Sequence, residues 1–215
     1  MAGYINIHTH HLSKEDGVFL FNNRFNFEND LFLGKYFSIG IHPWDAELKV
    51  DFENFEKLVT HENCLAVGEC GLDKLKGPDL EIQKVILEAQ LQLAAKFKKP
   101  VIIHCVKAFD ELIEICRPFK EVPKIIHGFN KSPQLAKQLI DAGFYLSLNE
   151  SVLKKENFDF SLIPIDKLFL ETDMNKLILI QEIYNLALER FKVELEILKA
   201  KINLNFTTIF LKNGR

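Results

Sequence analysis

Five histidines of this 215-residue chain, His8, His10, His42, His104 and His127, each follow a short run of apolar or β-branched residues. Such runs read as strands, so these imidazoles fall at or just past strand C-terminal ends. His8 and His10 are two apart, and residues two apart on a strand project from the same side. Imidazole clusters suit Zn, Mn, Fe, Co or Ni, and a catalytic site also needs carboxylates, to offset the ion's charge and to handle a proton. Two further strand ends supply them: Glu69 in the run Ala66 to Asp73, and Asp173 in Leu170-Glu171-Thr172-Asp173. A carboxylate directly after buried apolar residues is costly unless something positive compensates it, and a cation does so. A single strand-end histidine is commonly structural, and His61, at a polar helix end, reads that way. Four His and two acids from five strand ends form a set large enough for two metal ions and a bridging carboxylate.

The elements that must position this set are legible as alternation. The candidate strands are Tyr4–His8, Val18–Asn22, Tyr36–Ile41, Cys64–Gly68, Pro100–His104, Lys124–His127, Gly143–Leu148 and Lys167–Glu171. Segments with helical spacing separate most of them, which predicts a parallel α/β architecture. In an eight-fold barrel the strand C-terminal ends carry the active-site loops, which is where the histidines fall. The clearest helix spans about residues 79–98, with Val85, Ile86, Ala89, Leu93, Ala94 and Phe97 as its apolar stripe and Pro100 as its stop. Ser132-Pro133 opens another, closed by Gly143. Asp51–Val59 and Phe109–Cys116 are shorter candidates, and Leu177 to Leu211 should hold at least two helices with a break near Lys199–Asn205. The first two strands are joined by only about nine residues, Thr9 to Gly17. That is below the dozen or so of a parallel crossover, so either a helix is missing or Val18–Asn22 is not a regular barrel strand.

Composition narrows the class. With 47% hydrophobic residues, 10 Gly and 7 Pro, the chain is neither disordered, collagen-like nor a coiled coil, and residues 1–215 are expected to form one domain. No apolar run approaches the roughly 20 residues of a membrane span and no signal peptide is visible, so a soluble, cytoplasmic protein with no membrane association is expected. The formal net charge of -3 gives no long-range attraction for polyanions, and any nucleic-acid binding must be local. Cys64, Cys70, Cys105 and Cys116 form no Cys-x-x-Cys pair and read as reduced thiols. As an eight-fold barrel the chain is short, since about 250 residues is typical.

The motifs resemble those of the TatD-type metal-dependent hydrolases, a branch of the amidohydrolase superfamily. They are Asn-Ile-His-Thr-His at 6–10, Gly-Ile-His-Pro at 40–43, Val-Gly-Glu-Cys-Gly-Leu-Asp at 67–73, Gln83 and Gln90 in the long helix, Pro-Val-Ile-Ile-His-Cys at 100–105, Ile-Ile-His-Gly-Phe at 125–129, Tyr-Leu-Ser at 145–147 and Leu-Glu-Thr-Asp at 170–173. The resemblance implies an abridged, distorted (β/α)8 TIM barrel. It implies that His8 and His10 bind one divalent ion, Glu69 bridges to a second, His104 and His127 bind that second ion, and Asp173 lies beside the nucleophilic water. The two ions are Zn, Mn, Mg or another divalent metal. Asp73 would hold one of the ligands in place, and His42 is either a pocket residue or structural.

Departures from the family pattern bear on substrate. Asn6 stands where Asp is usual and His11 where an apolar residue is usual. Val106 followed by Lys107 replaces a common Arg, exchanging a bidentate phosphate clamp for a point charge. Met174-Asn175-Lys176 leads straight into an apolar run where the family has a long substrate loop. The leading expectation is a deoxyribonuclease of the exonuclease kind acting on phosphodiesters, helped by Lys14, Lys74, Lys76, Lys107, Lys131 and Lys176 in the loops. The alternatives are hydrolysis of a small ester, amide or phosphoester at the same centre, or a non-catalytic metal-binding derivative. No obligate protein partner is evident.

Overall fold

Eight parallel strands pair strictly in sequence order, β1 (Tyr4–Thr9), β2 (Gly17–Arg24), β3 (Phe37–Gly40), β4 (Cys64–Asp73), β5 (Val101–Val106), β6 (Lys124–Ile126), β7 (Phe144–Leu148) and β8 (Leu168–Leu170). This is the computed structural model of the chain, and it describes residues 3–11, 16–25, 35–47 and 49–211. Lys14 therefore lies outside the described residues. The helices are α1 (Phe52–Val59), α2 (Leu80–Lys96), α3 (Phe109–Cys116), α4 (Pro133–Asp141), the single turn α5 (Glu150–Leu153), α6 (Ile180–Phe191) and α7 (Leu195–Phe206). All ten residues of β4 are buried, as expected for a strand covered on both faces. Among the described residues no helix is long and apolar enough to cross a membrane.

The barrel closes between β1 and β8 without a regular ladder. Three side chains do the work of the missing strand pairing. The Tyr184 hydroxyl of α6, fully buried, accepts from the Ile5 N–H (3.1 Å) and donates to the Ile5 carbonyl (3.3 Å). Asn205 of α7 donates to the carbonyls of Ile165 (2.8 Å) and Leu168 (3.0 Å). Asn6 accepts from the Thr172 N–H (3.2 Å) and donates to the Thr172 hydroxyl (2.8 Å), so its amide serves both partners across the seam. At the top, the Asp173 N–H donates to the His8 carbonyl (3.0 Å) and the His10 N–H to the Asp173 carbonyl (3.2 Å).

Several expectations hold, one pair of alternatives is decided, and two expectations are corrected. α1, α3 and α4 form where the spacing predicted, and the Ser132 hydroxyl caps α4 by accepting from the Leu135 N–H (3.2 Å). Val18–Asn22 lies within a strand paired parallel to β1 through Ile5↔Val18, which excludes the alternative that it is not a barrel strand. The stripe expected on α2 is rotated. Gln83, Leu87, Gln90, Leu91 and Ala94 are buried, whereas Val85 is 66% exposed. Two polar residues face inward because they bind main chain: Gln90 clamps both the N–H (2.8 Å) and the carbonyl (3.0 Å) of Ile41, and Gln83 accepts from the Asp73 N–H (2.7 Å). Finally, the C-terminal break lies at Lys192, whose left-handed conformation (φ 52°) ends α6, and α7 runs unbroken through Lys199–Asn205.

Candidate metal centre

Every proposed ligand stands at the C-terminal end of the barrel, and two of them stand where the strand register slips. The four residues of β1 from Asn6 to Thr9 face three of β2, and the four of β4 from Val67 to Cys70 face three of β5. An extra residue of this kind turns side chains out of strict alternation and bends the strand. His8 and Glu69 occupy those stretches. Gly71 allows β4 to come close to β5: a Cβ there would meet the His104 carbonyl oxygen at 1.9 Å. Asp173 adopts φ 53°, a left-handed conformation fixed by its two backbone bonds to His8 and His10.

Glu69 is the hub. Its Oε2 lies 3.5 Å from His8 Nε2 and 3.9 Å from His10 Nε2, while its Oε1 lies 3.0 Å from His104 Nδ1 and 2.9 Å from His127 Nε2. Asp173 Oδ1 completes the first group at 3.6 Å from both His8 and His10. Oε2 thus faces His8 and His10, and Oε1 faces His104, His127 and His42; the groups whose ligand atoms all lie within 4.8 Å of one another are His8 with His10 and Asp173, His8 with Glu69 and His127, His42 with Glu69 and His104, and His127 with Glu171 and Asp173. Ligand atoms held on one ion by bonds of roughly 2.0–2.2 Å are themselves about 3.3–3.6 Å apart at tetrahedral angles, close to these spacings.

The surrounding bonds hold this arrangement. Asn22 of β2 donates to Glu69 Oε2 (3.1 Å) and accepts from the Glu69 N–H (3.0 Å). His42 accepts from the Trp44 N–H at Nδ1 (3.2 Å), so its proton sits on Nε2, which donates to Glu69 Oε1 (3.2 Å). His42 is thus buried and hydrogen-bonded to Glu69. Asp73 is anchored by the indole N–H of Trp44 (2.7 Å) and the N–H groups of Leu75 (2.8 Å) and Lys76 (3.2 Å), and it meets His104 Nε2 at 3.3 Å. Glu171, fully buried, accepts from the Gly128 N–H (2.7 Å) and lies 3.4 Å from His127 Nδ1.

Burial keeps His8 well below the ordinary imidazole range, reinforced by His127, and it lowers His10 and His42 as well. The neutral imidazole is the form that binds a metal. Burial pushes the Glu69 carboxyl up, but the charge on His127 and hydrogen bonds from His104, His127 and His42 outweigh it and hold Glu69 well below the carboxylate range. His127 goes the other way: burial disfavours its charge, but Glu69 and Glu171 raise it well above the ordinary value. Burial raises Glu171. Both ring nitrogens of His8 are buried without a hydrogen-bond partner, and so is Glu171 Oε2. Buried polar atoms left this way are costly, and a cation satisfies a lone pair as a hydrogen bond would. The residues therefore fit a metal centre.

The sequence found His8, His10, Glu69, His104, His127 and Asp173, and the fold brings all six together. Asp73 and His42 stand beside them as described. Lys107 is exposed and forms no ion pair among the described residues, and His11 turns away, its Nε2 2.9 Å from the Met174 carbonyl. His61 sits at the opposite end, accepting from the Asn63 N–H (3.1 Å) with its ring against Phe37. Lys74 is held by Glu111 (2.5 Å) and so is not a free cation in the loops. Sequence reasoning missed Glu171, Asn22 and Trp44 as supports. The available signal was a polar residue directly after a strand's last apolar position, which Glu171 shares with Glu69.

Comparison with known proteins points the same way. The family model described as TatD related DNase matches residues 25–210. An uncharacterized metal-dependent hydrolase of Escherichia coli (strain K12), YcfH, is 30% identical over 144 residues, which is 64% of this chain and 54% of that protein. A TATDN1 homologue of Enterocytozoon bieneusi, named as a candidate deoxyribonuclease, is 36% identical over 129 residues, covering 60% of this chain and 44% of its own. This chain spans about half the length of these curated relatives. The crystal structure of YJJV, a TatD homologue from Escherichia coli K12, superposes with a TM-score of 0.77 at 24% identity, over 90% of this chain and 86% of that one, a likeness of fold.

Proposed function

This chain belongs to the TatD-related DNase family, and from that premise we propose that it is a divalent-metal-dependent hydrolase of phosphodiesters, a deoxyribonuclease of the exonuclease kind. The observation that carries the reading is the division of the two Glu69 oxygens between His8 with His10 and His104 with His127. His8, His10, Asp173 and Glu69 Oε2 would hold one ion, and His104, His127 and Glu69 Oε1 a second. Two such ions, when bound, lower the pKa of a water and offset charge on the attacking and leaving oxygens. The chain's own residues do the rest. Glu69 fixes the separation of the two halves, Asp73 orients His104, Glu171 orients His127, and His42 and Asn22 hold Glu69. Asp173 is the proton acceptor. Its side chain is 27% exposed at the barrel mouth, the one carboxylate of the six-residue set open enough to meet solvent. Four unpaired, buried thiols support a reducing, cytoplasmic setting.

Elemental analysis of gently purified protein combined with a DNA-cleavage assay tests the reading. About two ions per chain are expected, with a rate that falls steeply as salt rises, because phosphate contacts are ionic. Asp173→Asn should lower the rate roughly 10²–10⁴-fold, the usual worth of a positioned base. If wild type and variant were equally inactive on DNA and on small esters while binding metal, the enzyme assignment would be abandoned. A second reading, hydrolysis of a small ester, amide or phosphoester, is favoured by the net charge of -3 and by the neutralisation of Lys74 by Glu111. Comparing single-stranded DNA with small esters separates the two.

A further inference from the structure

Trp44 is the chain's only tryptophan, and it stands on a single turn, Pro43–Asp45, directly after His42. Its ring lies edge-on to two imidazoles of the centre, 4.6 Å from His42 and 6.0 Å from His104 between centroids. It is nevertheless 40% exposed. Its orientation is fixed from several sides. The indole N–H donates to Asp73 Oδ2 (2.7 Å), the backbone N–H donates to His42 (3.2 Å), and the loop after β4 packs so closely that a Cβ on Gly77 would lie 3.0 Å from the Trp44 Cα. The Lys76 ammonium sits 4.5 Å from the ring centroid and the Arg24 guanidinium carbon 5.8 Å from it. The chain therefore holds a fixed, partly exposed aromatic surface one imidazole's width from Glu69, with Lys76 and Arg24 against the ring.

We infer that Trp44, with Lys76, is a stacking platform for a nucleobase of the substrate next to the phosphodiester held at the Glu69 cluster. The inference rests on the phosphodiesterase reading above and adds to it the group that the substrate presents beyond its phosphate. Any base has a π face, so it stacks on an indole with little regard to sequence. In a nucleotide the base stands one sugar away from the phosphate, and a centre at Glu69 with a platform beyond His42 and His104 matches that order. Lys76 has the position to meet an adjoining phosphate while keeping its contact with the ring.

The test compares a DNA dinucleotide with its abasic counterpart, in which one base is replaced by hydrogen, on the zinc-loaded protein and its variants. The readout is the ratio of kcat/KM for the two compounds, which cancels any effect that Trp44 exerts through Asp73 on His104. Trp44→Ala should lower that ratio roughly 5- to 150-fold, the range that stacking one base provides. Trp44→Phe keeps a ring but loses the indole N–H, and should retain most of the discrimination. An unchanged ratio in Trp44→Ala, or an equal loss in both variants, overturns the platform. If wild type cleaves neither compound, the phosphodiesterase reading falls, and the platform is decided separately by fluorescence of the single tryptophan. Saturable quenching by thymidine monophosphate but not by deoxyribose 5-phosphate supports it, and an equal response to both overturns it.

Discussion

Gly71→Ala would put a methyl carbon 1.9 Å from the His104 carbonyl oxygen, on a residue whose φ is +143°. Real Cβ contacts begin at about 3.0 Å, so β4 and β5 must separate by about 1 Å at the point where they carry Glu69 and His104. Overpacking of this kind costs about 1–3 kcal/mol, and the left-handed backbone adds about 1 kcal/mol or more. For a chain of this size a loss of about 2–4 kcal/mol lowers the melting temperature by roughly 4–16 °C. The functional effect is separable from that loss. A displacement near 1 Å in a catalytic constellation costs on the order of 10²-fold in rate, and a disturbed ligand sphere costs about 10–100-fold in metal affinity. Gly143→Ala is the control, because Gly143 also has a positive φ (+90°) but nothing lies within 4 Å of the place its methyl group would take, at the far end of the barrel before β7. Thermal melts, zinc titration against a chromophoric chelator and DNA cleavage should find both variants less stable and only Gly71→Ala impaired in zinc affinity and rate. Wild-type zinc affinity in Gly71→Ala, or an equal loss in Gly143→Ala, would refute the claim that close approach of β4 to β5 sets the centre.

Tyr184→Phe removes the hydroxyl that serves both backbone groups of Ile5, and should cost about 1–3 kcal/mol by denaturant unfolding; a smaller effect would mean that the seam is held elsewhere. Glu171→Gln should weaken zinc binding about 10–100-fold, because Glu171 fixes His127 through contacts at 2.7 Å to Gly128 and 3.4 Å to the ring, and unchanged affinity would remove it from the centre. Alkaline pH should destabilise the protein. Burial pushes Cys64 up to about 11 and Cys105 and Cys116 up to about 12, while unfolded thiols titrate near 8.5, so the unfolded chain loses protons first. Stability present below pH ~8.5 is then lost between about pH 9 and 11, at roughly 1.4 kcal/mol per pH unit for each thiol, and a melting temperature flat across that window would contradict it.

The six candidate site residues were legible because each is polar and falls at or within three residues of the end of a run of apolar residues, a pattern that needs only local sequence. The supports were not, for reasons that differ by residue. Asn22, inside β2, and Glu171, just past β8, gain their meaning only once Glu69 and His127 are seen opposite them, contacts across 47 and 44 positions of sequence. Gln90 and Gln83 mislead a hydrophobic reading of α2, because their buried amides bind main chain that the sequence does not place. The break at Lys192 carries no glycine, so its left-handed turn has no local signal.

The open seam between β1 and β8 gives these observations a common cause. A full ladder would fix both strands along their length and leave no backbone freedom at their ends. Here Asn6, Tyr184 and Asn205 satisfy the lower part of the seam, and among the described residues the backbone bonds across its top are those joining His8 and His10 to Asp173. Those two bonds bring the first and last of the six site residues together and fix Asp173 in a conformation that an unconstrained aspartate rarely adopts. Closing the barrel and assembling the His8, His10 and Asp173 group are therefore one structural event. That is why a first connection of so few residues leaves the centre intact: the residues that form it lie on the strands and across the seam.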